Sequence, residues 1–222
     1  MARTPLCQNL PVLQVGTVCR LNPVFLHPTQ HTAGLKAVDS KKEKLIGKIK
    51  KSRAKLEKYL KKKTVPVVLG AKFQGRKRIE GISFYMTDGH HTMRAFSELN
   101  LNYPAYIRVT HDLRHLDFRH FWTFMTREKL VYHKKHGKIQ LVETLPKTLY
   151  RLIDDPYRSL SWEVREQGCY LNLDNIAFQE FFWADFFRKK VDVNDLEAAK
   201  ELAISDLASE LPGFTGKCER QE

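Results

Sequence analysis

The chain of 222 residues contains no apolar run approaching the roughly 20 residues that a membrane-crossing helix needs, so no transmembrane helix is expected. It has only four cysteines, Cys7, Cys19, Cys169 and Cys218, and no two of them stand close together. That spacing offers neither a zinc-ligand cluster nor a dense disulfide framework; it predicts reduced thiols in a cytoplasmic compartment. Residues 1–16 lack the compact apolar core and cleavage site of a secretory leader. No internal repeat and no long linker interrupts the chain. With 42% hydrophobic and 28% charged residues, the composition is that of a folded protein with one substantial core or two small ones.

Acidic residues are also in short supply: 25 Asp and Glu face 38 Lys and Arg, a formal net charge of +13. Most of the excess lies in residues 41–63, where eleven lysines and Arg53 meet only Glu43 and Glu57, a net of +10. Asp39 or Ser40 can cap a helix here, expected over residues 41–60 with an apolar stripe of Leu45, Ile49, Leu56 and Leu60. Gly47 within it costs about 1 kcal/mol relative to Ala, so a bend or a frayed first half is expected. Lys48, Lys51, Lys55 and Lys58 on its outer faces are the candidate nucleic-acid contacts, because neutralising several phosphates gives sequence-independent affinity. A solvated face is the plain alternative, and an acidic membrane surface would obey the same physics. In a eukaryotic host such a run can also serve nuclear import.

Segment by segment, residues 1–16 form a loosely attached lead-in. Short strands alternating with helices over residues 17–112 predict a small α/β layer. Residues 113–211 are mainly helical and are expected to pack on that layer, and 212–222 form a tail. In the helical half, Phe118, Phe121, Trp122 and Met125 share one face, and residues 178–187 make an unusually aromatic helix.

The chemistry concentrates in Ser83-Phe84-Tyr85-Met86-Thr87-Asp88-Gly89-His90-His91-Thr92-Met93-Arg94-Ala95-Phe96. A strand of aromatic and β-preferring residues turns at Asp88-Gly89 into a helix whose apolar face holds Met93, Phe96 and Leu99. His90, Arg94 and Ser97 share the opposite face. Gly89 permits a tight turn, and the first amides of a helix, lacking partners and carrying the positive dipole end, suit a phosphate. A purely structural turn accounts for the same residues. A second polar group is Asp154, Asp155 and Arg158: paired carboxylates can hold a divalent ion, and Arg158 can bind phosphate, while Asp155 can instead cap a helix starting at Pro156. Histidine pairs His111/His115 and His133/His136 leave a metal site open without defining one.

The segment Gly89-His90-His91-Thr92-Met93-Arg94-Ala95 resembles the phosphate-binding box of the ParB/sulfiredoxin superfamily, and the Asp-Gly-His-His turn is closest to its ParB-like nuclease branch. Leu26-His27-Pro28-Thr29-Gln30, Val65-Pro66-Val67-Val68-Leu69-Gly70, Asp154-Asp155-Pro156-Tyr157-Arg158-Ser159-Leu160 and Trp183-Ala184-Asp185-Phe186-Phe187 resemble that branch in the same order. The resemblance implies an α/β (α+β) fold with a small mixed sheet, followed by a helical half. It implies a phosphate-handling hydrolase on nucleic acid in which Gly89, His90, His91, Thr92 and Arg94 hold phosphate. His90 or His91 would move a proton, and Asp88 would orient a histidine or a metal. Mg²⁺ or Mn²⁺ on substrate phosphates, and ATP or CTP, are the implied cofactors. Two alternatives stay open. The free-serine kinases of the superfamily share the turn but use an acidic residue where Gln30 aligns. Nucleotide-switched DNA-binding relatives do not cut, yet no helix-turn-helix follows the layer here. The pattern argues against sulfiredoxin chemistry, since that enzyme's turn cysteine is replaced here by histidines.

Overall fold

The computed structural model describes residues 4–101, 103–173 and 176–219; the ends of the lead-in and of the tail lie outside the described residues. In chain order its elements begin with β1 (Val18–Leu21), β2 (Leu26–Pro28), β3 (Thr32–Ala33), α1 (Leu35–Lys51) and α2 (Arg53–Lys62). Next come β4 (Val65–Gln74), β5 (Lys77–Met86), α3 (His90–Glu98), β6 (Ala105–Asp112) and α4 (Phe118–Arg127). The remainder is β7 (Lys134–Lys135), β8 (Lys138–Ile139), β9 (Ile153–Asp154), α5 (Pro156–Glu166), α6 (Gln179–Phe187) and α7 (Leu196–Ile204). No helix among the described residues is long and apolar enough to cross a membrane.

These elements form two compact units. The first comprises the described residues of 1–31, 38–134 and 139–152, and the second those of 32–37, 135–138 and 153–222. The division expected at residue 112 therefore falls elsewhere, and the reason is α4. Its Phe121, Trp122 and Met125 join Val68 of β4 in one buried cluster, which ties the helix to the sheet.

The first unit is built on a five-stranded mixed sheet of order β1-β6-β4-β5-β2. β4 is its centre, antiparallel to β5 and parallel to β6, and its run Val67-Val68-Leu69-Gly70-Ala71 is wholly buried, as a strand covered on both faces must be. The charged residues 70–81 form the distal half of this hairpin, which turns tightly at Gly75-Arg76. Gly70 lies within the strand: a Cβ there would fall 2.7 Å from the Tyr85 ring and 2.8 Å from that of Phe121. Its missing side chain is what lets α4 seat. On α2, Leu56 and Leu60 are buried and Glu57 accepts a hydrogen bond from the Tyr106 hydroxyl at 2.6 Å. Burial and that carboxylate together push the Tyr106 phenol up to about 12.

The lysine-rich stretch departs from expectation in two ways. It starts earlier, at Leu35, and it breaks at Ser52 rather than bending at Gly47. Ser52 is extended, and its Oγ accepts from the Lys55 amide at 3.2 Å, so the serine ends one helix and caps the next. Nor is the lead-in loose. Leu6 bridges Arg20 alongside β1, the Arg20 amide donates to the Pro5 carbonyl at 2.8 Å, and Cys7 is disulfide-bonded to Cys19.

In the second unit, β3 and β9 pair in parallel beside α5, α6 and α7. Its core is Leu160, Val164, Tyr170, Trp183, Phe187 and the alanines of α7, with Tyr170 stacked on Trp183 at 4.2 Å between ring centres. Cys169 is bonded to Cys218, which fastens the tail to this core. All four cysteines are thus paired. This corrects the free-thiol expectation and removes its argument for a reducing compartment. Separations of 12 and 49 residues form no recognisable spacing, and only the folded chain brings these sulfurs together.

Candidate phosphate site at the β5–α3 turn

β2 runs parallel to β5 with Pro28 opposite Met86, so the segment after β2 passes the point where β5 ends and α3 begins. Thr29 locks this junction from both sides. Its hydroxyl donates to the Met86 carbonyl at 2.8 Å, and its amide donates to His90 Nε2 at 3.1 Å. Thr29 and Gln30 are buried, and Gln30 makes a backbone bridge to Tyr132. The expected strand–turn–helix is present. Gly89 sits in the left-handed region at φ +82°, where only glycine is unstrained, and serves as the N-cap of α3 without a side-chain cap. Asp88 is exposed, and its Oδ1 accepts from the Gly89 amide at 2.6 Å instead of reaching into the helix.

The candidate residues divide into distinct roles. His90 is 5% exposed, and its Nε2 lone pair is engaged by the Thr29 amide. Protonating that nitrogen would place two donors face to face, so His90 is a fixed, neutral brace for the turn. His91 is only half-buried and remains beside the open end of the helix. Thr92 is buried and hydrogen-bonded to Tyr59, whose phenol burial holds above its usual range.

Arg94 lies deeper than helical spacing implied. Its side chain is 11% exposed; Nε donates to Glu98 at 2.5 Å, and Nη1 donates to the carbonyls of Leu149 and Leu152 at 2.9 and 2.8 Å. The ring of Tyr150 lies 5.3 Å from its guanidinium. Nη1 is thus committed to the 149–152 turn and Nε to Glu98, so Arg94 has internal partners where a phosphate contact is expected. Glu98 also pairs with Lys42 at 2.8 Å. Burial pushes the Glu98 carboxyl up, but its hydrogen bonds to Lys42 and Arg94 outweigh that and hold it below the usual range.

Of the basic residues, Lys51, Lys55 and Lys58 are exposed and Lys48 is half-buried, on α1 and α2 of the same unit. The second polar group does not act together. Asp155, 1% exposed, caps α5 through the Tyr157 amide at 3.1 Å and accepts from Arg188 Nη2 at 2.9 and 2.7 Å. Asp154 accepts from the Leu35 amide at 3.0 Å, and Arg158 pairs with Glu180 at 2.6 Å beneath the Phe181 ring. The capping account therefore describes Asp155, and the trio is structural. Arg188 could not be anticipated, because 33 residues separate it from Asp155. His111 contacts Thr110, and among the described residues no three His, Cys, Asp or Glu side chains converge as metal ligands.

Comparison with known proteins agrees with this architecture. A family model described as "Putative ParB-like nuclease" matches residues 20–189, a span that takes in the turn, the basic helices, α4 and the polar segment starting α5. The crystal structure of protein Atu1540 from Agrobacterium tumefaciens is similar to this one, with a TM-score of 0.74 and 28% identity over 90% of this chain and 99% of that chain. No curated protein matches the chain.

Proposed function

Because the chain belongs to the ParB-like nuclease family, we propose that it binds nucleic-acid phosphate at the start of α3 and hydrolyses the phosphodiester there. The observation that carries this reading is the conformation of Gly89. A left-handed glycine without a side-chain cap presents the first turn of α3 through its backbone amides, at the end of a central hairpin strand. Thr29 and His90 brace the turn from beneath, so the amides are held in place before a ligand arrives.

In this reading His91 is the proton carrier. It stands at the helix mouth, half-buried, and imidazole titrates near neutrality. Water attacks the phosphorus, the bond to the leaving oxygen breaks, and the imidazole moves the proton between them. His90 orients rather than reacts. The exposed cations of α1 and α2 supply contacts along the nucleic-acid backbone.

The turn offers one carboxylate, Asp88, which does not fit a resident metal centre. Mg²⁺ or Mn²⁺ would belong to the substrate, arriving on its phosphates, and ATP or CTP would occupy the same amides through theirs. The test pairs binding with cleavage, using labelled DNA, ATP and CTP with and without Mg²⁺ or Mn²⁺. His91→Ala should retain binding while cleavage falls by about 10²-fold or more. Gly89→Val, forced into a left-handed conformation, should lose binding. A folded Gly89→Val protein that binds phosphate ligands as the wild type does would exclude the turn as the site.

A further inference from the structure

At the far end of α3 from the turn, the first unit holds a cavity of about 200 Å³. Three segments distant in sequence converge on it: residues 22–24, residues 96–101 at the end of α3, and residues 148–150. Over its nine residues α3 rises about 14 Å, so the cavity and the Gly89 turn are separate places. We propose that this cavity binds an uncharged, hydroxylated ring of single-sugar size, either a free pentose or hexose or the ribose of an uncharged nucleoside. The inference is independent of the phosphodiester reading, which makes no use of these residues.

The absence of charge in the lining sets the class first. In a chain with a formal net charge of +13, none of the described residues lining this cavity is charged. A phosphate or carboxylate would find no lysine or arginine to pair with, and an ammonium no carboxylate. Either would lose hydration without a replacement. The guanidinium of Arg94 lies 5.3 Å from the Tyr150 ring, yet it donates to Glu98 and to the carbonyls of Leu149 and Leu152.

The hydrogen-bonding groups then point to hydroxyls. Asn22 Oδ1 accepts from the Val24 amide at 3.1 Å, which leaves the carboxamide N–H groups as donors. Ser97 Oγ donates to the Met93 carbonyl at 2.9 Å, which leaves its lone pairs to accept. The Thr148 hydroxyl and the Asn100 carboxamide make no hydrogen bond among the described residues. Such a set mixes donors with acceptors and suits hydroxyl groups, each of which does both. A hydrocarbon would strip water from these groups and return no hydrogen bond.

Shape agrees with this class. Pro23, Phe96 and Leu149 are buried and form an apolar floor, while the Tyr150 ring is 59% exposed. The C–H face of a sugar ring packs on such surfaces with its hydroxyls turned to the polar rim. At about 200 Å³ the cavity is smaller than the roughly 300–1,000 Å³ of drug-sized sites, which limits the occupant to one ring. Residues 148–150 also belong to the turn that Arg94 grips, so an occupant braces α3 from the end opposite Gly89.

The experiment is saturation-transfer NMR on the full chain, with D-ribose, D-glucose, uridine and ribose 5-phosphate as probes at up to about 10 mM. Three variants address the cavity. Val24→Trp fills it from an exposed lining position, and Thr148→Val removes a hydroxyl at nearly constant shape. Asn100→Gly removes the carboxamide while leaving a residue that tolerates the φ of +49°. Each is first checked for cooperative unfolding. In the wild type at least one uncharged probe should receive saturation at its sugar protons. Binding should weaken about fivefold in Asn100→Gly and in Thr148→Val, and disappear in Val24→Trp. Transfer to the free sugars would identify a free ring as the ligand, and transfer to the ribose protons of uridine alone would identify a nucleoside; both uphold the site. Transfer confined to the uracil protons would overturn the sugar assignment, and tighter binding of ribose 5-phosphate than of ribose would overturn the uncharged class. Unchanged binding in all three folded variants, or no transfer to any uncharged probe, would overturn the proposal. None of the uncharged probes carries a phosphate, so such a failure leaves the turn reading untouched.

Discussion

Replacing Arg94 by alanine should unfold the protein more readily rather than simply weaken an anion site. The substitution removes three charge-assisted hydrogen bonds: one to Glu98 and two to the carbonyls of Leu149 and Leu152. Bonds to a charged group contribute about 1.5–3 kcal/mol each. Glu98 keeps Lys42 at 2.8 Å, and water can reach part of the vacated space, so the low end applies. At about 1.5 kcal/mol for each of the three bonds the expected loss is about 4.5 kcal/mol, read from urea unfolding as a lower midpoint with an unchanged slope. Lysine at this position keeps the charge but lacks the planar fork that spans two carbonyls and a carboxylate, so Arg94→Lys should recover only part of the loss. Acid sensitivity provides a second reading. A carboxyl held below its ordinary value contributes stability above that value, 4.5 for Glu98, and loses it as pH falls through the folded-state value. Without Arg94 the depression shrinks, so the difference in stability between pH 7 and pH 3 should be smaller in the variant. A folded Arg94→Ala protein within about 0.5 kcal/mol of wild type that fails to bind phosphate would refute this reasoning and return Arg94 to the anion site.

His90→Ala strands the buried Thr29 amide without its acceptor and should cost about 1–3 kcal/mol by chemical denaturation, with His91→Ala much nearer to wild type. Asp155→Ala removes a helix cap and leaves Arg188 without its carboxylate; a loss of about 3–5 kcal/mol is expected, and Asp155→Asn, which retains the cap, should lose less. Changing Lys48, Lys51, Lys55 and Lys58 together to Gln should flatten the slope of log K against log salt for DNA, measured by titration at several salt concentrations. The change should reach up to about 0.9 for each phosphate that is no longer neutralised. An unchanged slope would identify those lysines as a solvated face.

The strand–turn–helix is readable from sequence because its signals are local. Aromatic strand residues, an Asp-Gly turn and the Met93/Phe96 spacing all lie within one short stretch, and the structure reproduces each of them. The roles of individual side chains are less readable, since each depends on a partner far along the chain. Arg94 meets carbonyls 55 and 58 residues away, and His90 meets an amide 61 residues away. Helical spacing places Arg94 opposite the apolar stripe and so suggests solvent; the 149–152 turn covers that side. The break at Ser52 escapes for a different reason. Gly47 has the poorer helix propensity, but Ser52 supplies a cap, and propensity alone does not register the start of a second helix. The disulfides escape because pairing is a property of the fold.

The covered margins of the sheet bear on how this protein avoids sticking to its own kind. β1, an outermost strand, is shielded by residues 5 and 6, which are fastened by the Cys7–Cys19 bond. β2, at the opposite margin, is three residues long and ends in proline, which has no amide to donate. At these two end strands, strand addition, the usual route to sheet-driven aggregation, meets either a covered edge or a very short one. A covalent bond at one end of the chain thus has a solubility role, and reducing it frees the cover of β1 to peel away and bare the margin.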